Sequence, residues 1–118
     1  MECKFAHIEI PVKDLKKAKK FYEEVFNWEI NVETGFPGYA FFKTGETGIG
    51  GAFDESDKTV SGNLMLYIEV EDILASGKKI NAAGGKITKE KTDIGGEMGF
   101  YAVFEDVFGN VFGLWSAK

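Results

Sequence analysis

The chain has 118 residues, 44% of them hydrophobic, and its eleven Phe, four Tyr and two Trp are ample material for one ordinary domain core without a disulfide or metal staple. A formal net charge of −5 argues against nucleic-acid binding, which needs a basic patch, and against binding to anionic membranes. Cys3 is the only cysteine, and no apolar run has the length of a signal peptide or a membrane span, so we expect a cytoplasmic protein.

The first half of the chain predicts a strand, a helix and three further strands. Alternation predicts a strand over Lys4–Pro11 that presents three side chains on one face: Phe5, His7 and Glu9. Asp14 is a suitable N-cap for a helix that runs to about Phe26, because apolar residues follow it at helical spacing. Turn residues then separate three short strands, at about Trp28–Val32, Tyr39–Lys43 and Gly48–Phe53.

The second half repeats this order after a polar linker, Asp54–Gly62. We expect a strand over Leu64–Val70 and a helix over Ile73–Ala83 that ends at the pair Gly84-Gly85. The last hairpin needs a residue with positive φ, supplied by Gly109 or Asn110. Three strands complete this half, at about Lys86–Lys91, Gly99–Glu105 and Val111–Trp115.

The two halves are similar enough to indicate a duplication. Asp14 corresponds to Asp72 at an offset of 58, while YAFF corresponds to YAVF, and GGAF to FGLW, at an offset of 62. We therefore predict one α+β domain over residues 1–118, built from two tandem βαβββ modules at about 1–54 and 62–118. The eight strands would form one curved, cup-shaped sheet with the helices outside, and the concave face would bind a small ligand.

The order of these motifs carries a family resemblance. The stretches HIEIPVKDLKKAKKFYEEVFNWEI, YIEVEDI, AAGGKI and FEDVFGNVFGLW together resemble the vicinal oxygen chelate superfamily of glyoxalases, bleomycin resistance proteins and dioxygenases. The closing motif is similar to the branch related to lactoylglutathione lyase. The resemblance covers essentially the whole chain and implies the cup-shaped fold predicted above.

The same resemblance implies where a metal would bind. Metal-dependent members carry His, Glu or Gln at four quasi-symmetric positions, which fall here at His7, Gly51, Met65 and Gly113. Divalent metals need several N and O donors at one point, and three of these residues offer none. We therefore expect no cofactor, with a divalent metal at His7 as the minority alternative.

The cup keeps a lining suited to a small, partly apolar or aromatic molecule. The sequence leaves undecided which face of the sheet carries Tyr39, Phe41 and Tyr101. The Gly-rich segment Thr92–Gly99 is either a mobile lid or a loose connection. The predicted ligand-binding residues are Phe5, His7, Glu9, Phe53, Met65, Tyr67, Glu69 and Trp115.

Three functions compete at this point. The first is metal-independent binding of a small molecule, in the manner of antibiotic-sequestering members, which implies a homodimer. The second is a metal-dependent lyase, isomerase or dioxygenase with a non-standard site around His7, Glu9 and Glu69, in which His7 is the best catalytic candidate. The glycines at the Glu positions argue against glyoxalase I activity. The third is a protein-interaction module with no ligand.

Overall fold

The computed structural model describes residues 2–59 and 64–118. The chain divides into two compact units, Met1–Thr59 and Val60–Lys118, each with four strands and one helix. The last residues of the predicted linker 54–62, and the predicted module boundary at 62, lie outside the described residues. Among the described residues, neither helix is long and apolar enough to cross a membrane.

The N-terminal module is a four-stranded mixed sheet with one helix. The elements are β1 (Ile8–Val12), α1 (Leu15–Phe26), β2 (Glu29–Asn31), β3 (Tyr39–Lys43) and β4 (Gly51–Glu55). In the order β1-β4-β3-β2, only the pair β1 and β4 is parallel. A parallel pair needs a long crossover, and the helix α1 and the two strands after it supply that connection.

Helix α1 begins and packs as its sequence pattern predicts. The Asp14 carboxylate accepts hydrogen bonds from the backbone amides of Lys16 and Lys17, which confirms the N-cap. The helix ends at Asn27, which takes the left-handed conformation. Its apolar stripe is buried on the sheet beside Trp28 and the strand aromatics, and consists of Ala18, Phe21, Tyr22 and Val25.

The C-terminal module has the elements β5 (Tyr67–Glu69), α2 (Ile73–Ala82), β6 (Lys86–Asp93), β7 (Phe100–Glu105) and β8 (Val111–Ser116). It repeats the topology in the order β5-β8-β7-β6, with β5 and β8 parallel. Asp72 caps the helix through the Ala75 amide, and Gly84 follows that helix with a φ of 97°. The core of the module joins the buried Ile73 and Ile80 to buried strand residues. Two repeated βαβββ modules of α+β type are therefore confirmed.

Strand ends differ from the sequence prediction where pairing ends. The first strand of each module is shorter than expected, beginning at Ile8 rather than Lys4 and at Tyr67 rather than Leu64. Their partners explain this, because the ladder with β4 begins at Gly51 and that with β8 begins at Gly113. In the last hairpin, positive φ falls on Gly109.

Candidate functional site

The register of the N-terminal sheet divides its side chains between two faces. Phe53 is the partner of both Ile10 and Ala40, and all three are buried on the side that carries α1. Because partners share a face and successive residues alternate, the intervening residues lie on the opposite side. We call this side the N-terminal helix-free face, and its functional groups are His7, Glu9, Tyr39, Phe41 and Asp54.

A hydrogen-bonded group of three side chains lies on this face. The Tyr39 hydroxyl donates to Glu9 Oε2 at 2.8 Å and lies 3.0 Å from His7 Nε2. His7 Nε2 is itself 3.5 Å from Glu9 Oε2. The sequence prediction placed His7 and Glu9 on one face but left Tyr39 open, and the structure shows that Tyr39 links the other two.

Tyr39 holds its proton more strongly than a free tyrosine. Its pKa is raised, first because its hydroxyl donates to the Glu9 carboxylate, then by partial desolvation and by the negative charges of Glu9 and Asp54. The phenol is therefore neutral at physiological pH and keeps the proton that it donates to Glu9.

Aromatic rings flank this group. Phe41 and Phe36 meet the Tyr39 ring edge to face, with centroids 5.5 and 6.2 Å away, and both are exposed. Phe41 therefore lies on the same face as Tyr39, which settles its orientation. Phe5 belongs to the segment before β1 and is 84% exposed.

The prediction that Phe53 lines a ligand site is wrong. Its side chain is fully buried against Tyr22, Trp28 and Phe42, on the helix side of the sheet. The error came from the repeat offset. Tyr39 pairs with Asp54 and Tyr101 pairs with Trp115, so the last strands correspond at an offset of 61 and the counterpart of Trp115 is Asp54.

The C-terminal module has a corresponding helix-free face. Tyr67 is the register partner of Gly113, and Glu69 and Tyr101 are both partners of Trp115. The Tyr67 ring covers Gly113 so closely that a Cβ there would lie 3.1 Å from its Cγ and nearer still to two ring carbons. Met65 is partly buried in the segment before β5.

The segment Thr92–Gly99, for which the sequence left a lid and a loose connection open, is held by hydrogen bonds at two points. Residues 92 and 93 belong to β6, and the following loop closes with a hydrogen bond from the Ile94 amide to the Gly99 carbonyl. The Trp115 indole donates to the Met98 carbonyl at 2.9 Å. Trp115 therefore serves as an anchor of this loop.

The metal positions implied by the family resemblance do not fit a divalent ion. The register makes Ala52, rather than Gly51, the counterpart of Gly113, because Phe41 pairs with Ala52 as Val103 pairs with Gly113. Ala52 also lacks a donor. Met65 offers only a thioether, and His7 Nε2 is engaged by Tyr39. Within residues 2–59 and 64–118, no three His, Cys, Asp or Glu side chains come together as a metal site.

Comparison with known proteins agrees with this fold. The structure superposes on a glyoxalase/bleomycin resistance protein/dioxygenase family enzyme from Burkholderia phytofirmans with a TM-score of 0.78 at 18% identity, covering 96% of this chain and 98% of that one. It superposes on the fosfomycin resistance protein FosX from Listeria monocytogenes, complexed with Mn(II) and 1S,2S-dihydroxypropylphosphonic acid, with a TM-score of 0.79 at 23% identity, covering 100% and 93%.

Sequence comparison identifies the family. A glyoxylase-like domain-containing protein from Didymella fabae is 26% identical over 109 residues, which are 87% of this chain and 85% of that protein. The family model for this fold matches residues 4–114. The chain therefore belongs to the glyoxalase/bleomycin resistance protein/dioxygenase superfamily.

Proposed function

We propose that this chain is a metal-independent, small-molecule-binding member of its superfamily, and that its ligand binds on the N-terminal helix-free face. The observation that carries the proposal is the His7–Tyr39–Glu9 group, flanked by the exposed ring of Phe41. Polar groups of fixed geometry beside exposed aromatic surface are what a small-molecule site requires.

The chemistry of the four metal positions supports the metal-independent form of the proposal. FosX was determined with Mn(II), whereas the metal-ligand positions that the family resemblance implies, corrected by the observed register, are here His7, Ala52, Met65 and Gly113. A single imidazole is too few ligands for a catalytic divalent metal. Elemental analysis of protein purified without chelator should find well under one transition metal per chain, and one equivalent bound would contradict the proposal.

Ligand binding is tested with a matched pair of variants. Phe41 and Ile49 are apolar and equally exposed, at 40% and 41%, but Ile49 lies in the loop before β4, away from Tyr39. A metabolite library is screened by thermal shift, and each hit is mapped by amide chemical shifts. We expect hits that perturb the amides of His7 and Tyr39 and that weaken in Phe41→Ala but not in Ile49→Ala. Equal weakening in both variants would place the ligand elsewhere.

A metal-dependent lyase, isomerase or dioxygenase is the second candidate. It is favoured by one observation, the 3.5 Å separation of His7 Nε2 and Glu9 Oε2, which places two potential donors together. The third proposed member, Glu69, lies on β5 in the C-terminal module. This candidate requires His7→Ala to lower bound metal and activity together, and unchanged values would exclude it.

The other sequence predictions on function stay predictions. They are ligand contacts from the C-terminal module, through Met65, Tyr67, Glu69 and Trp115, a homodimeric assembly and a cytoplasmic setting. Analytical ultracentrifugation at micromolar concentration would test the dimer directly.

A further inference from the structure

We propose that the ligand of the N-terminal helix-free face carries a protonated amine, which binds at Glu9 and Asp54 while the apolar part of the ligand lies against Phe41. This inference rests on the proposed function and names the chemical class of the ligand. It follows from which hydrogen-bonding positions the face leaves open and from the charge around them.

Hydrogen-bond accounting leaves mainly acceptors on this face. Tyr39 has one hydroxyl proton, and it goes to Glu9, whose ionised carboxylate has no proton to give. His7 Nε2 must therefore donate to the Tyr39 oxygen, so the lone pair of a neutral His7 ring resides on Nδ1. The positions left for a ligand are this nitrogen and the remaining lone pairs of Glu9. Both accept hydrogen bonds, so the complementary ligand group is a donor.

The charge on this face is negative. Asp54 is the register partner of Tyr39, and its carboxylate, like that of Glu9, raises the pKa of the phenol. Among the described residues, no lysine lies within 4.0 Å of either carboxylate. The lysine of β3, Lys43, is four residues from Tyr39 and is paired with Glu29 at 4.0 Å. Two carboxylates without a lysine partner favour a cationic ligand.

The C-terminal module lacks this feature. Its helix-free face has a cation of its own, because Lys89 Nζ lies over the Tyr101 ring, 5.9 Å from the centroid. On the N-terminal face the corresponding aromatic, Tyr39, has the ring of Phe41 at its edge and carboxylates around its hydroxyl. An ammonium group bound there would contact both the carboxylates and an aromatic ring.

The test uses four soluble compounds with one benzene ring and different polar groups: benzylamine, benzyltrimethylammonium chloride, benzyl alcohol and sodium benzoate. Dissociation constants at pH 7 are taken from NMR titrations that follow the amides of His7, Tyr39 and Asp54. Because a hydrogen bond to a charged group has a net value of roughly 1.5–3 kcal/mol, we expect benzylammonium to bind at least about tenfold more tightly than benzyl alcohol. Benzoate should bind most weakly.

Three variants identify the groups responsible. Glu9→Gln keeps an oxygen that accepts from Tyr39 but removes the charge of the carboxylate. Asp54→Asn removes the charge of the second carboxylate. Each variant should weaken the binding of benzylammonium by about tenfold. Glu24→Gln removes an exposed carboxylate from α1 as the matched control and should change nothing.

Each result either supports or overturns the inference. If benzyl alcohol or benzoate binds as tightly as benzylammonium, the amine assignment is overturned while small-molecule binding stands. If benzyltrimethylammonium binds as tightly as benzylammonium, the site recognises charge alone, and hydrogen bonding to an amine is overturned. If none of the four shifts these amides, the amine assignment is overturned, and the metabolite screen decides separately on the proposed function.

Discussion

Gly51 is expected to be the least replaceable of the described glycines in the N-terminal module, because the backbone of the neighbouring strand β1 lies directly against it. A Cβ built on Gly51 would lie 2.8 Å from the Ile8 carbonyl carbon, 2.9 Å from the Ile8 nitrogen and nearer still to the carbonyl oxygen. Carbon atoms pack best at about 3.5–4.0 Å, so a methyl group requires the two backbones to separate by roughly 1 Å. All three obstructing atoms belong to the Ile8 backbone, and no rotamer change relieves the overlap.

The expected cost follows from what that separation disrupts. β1 and β4 form a ladder of five register pairs that begins at Ile8 and Gly51. Overpacking that shifts backbone costs about 1–3 kcal/mol, and weakened ladder hydrogen bonds add to it, so Gly51→Ala should lower the free energy of unfolding by about 3 kcal/mol. For a domain of this size the midpoint of thermal unfolding should fall by roughly 12 °C.

Gly45→Ala is the matched control. A Cβ on Gly45 meets nothing within 4 Å, and its φ is not positive, so the variant should be neutral or slightly stabilising. Urea and thermal unfolding of both variants, followed by circular dichroism, supply the comparison. A Gly51→Ala protein within about 1 kcal/mol of Gly45→Ala would refute the close approach of β1 and β4.

Three further variants test separate contacts. Asp14→Ala removes the N-cap of α1 and should lower the free energy of unfolding in urea by about 0.5–2 kcal/mol. The control, Asp57→Ala, removes an exposed carboxylate and should have no measurable effect. Equal effects of the two variants would contradict the cap. Trp115→Phe removes the hydrogen bond to Met98, so it should lower the free energy of unfolding by about 1 kcal/mol and speed amide exchange in the 94–99 loop. Unchanged exchange would show that the indole does not anchor this loop. Tyr39 should titrate above the usual value of about 10 in a ¹³C NMR titration assigned with Tyr39→Phe. Because the raised pKa favours the neutral phenol in the folded state, its stabilising effect should be complete below pH 10 and be lost as pH rises through the folded pKa. Titration at or below 10 would contradict the hydrogen bond to Glu9.

Helices were predictable because their determinants are local. Asp14 and Asp72 cap through amides two or three residues away, and Gly84 takes a positive φ just after α2. Strand ends were less predictable, because β1 extends only as far as its partner accompanies it. That partner, β4, is more than forty residues away in the chain, and no local pattern reports its register.

The face of Tyr39 was unpredictable for a different reason. The run YAFF has no alternation of polar and apolar residues, so it shows that a strand exists but not which way its side chains point. Only the pairing of Ala40 with the buried Phe53 assigns Tyr39 and Phe41 to the helix-free side. The sequence therefore offers Tyr39 as a candidate but does not show that it links His7 to Glu9.

A single residue of repeat offset changes the chemistry of the candidate site. Strand side chains alternate, so matching the last strands at 62 rather than 61 moves every residue of β4 to the wrong face. The offset of 62 placed the aromatic ring of Phe53 in the predicted lining and left the carboxylate of Asp54 out of it. The observed register excludes Phe53 from this face and includes Asp54. The correction leaves this metal position without a ligand atom, because Ala52 takes the place of Gly51 and neither residue has a side-chain donor. What changes is the charge, since a face expected to be aromatic with one carboxylate carries two carboxylates beside Tyr39. The preference for a protonated amine depends on that change and is not accessible from the repeat alone.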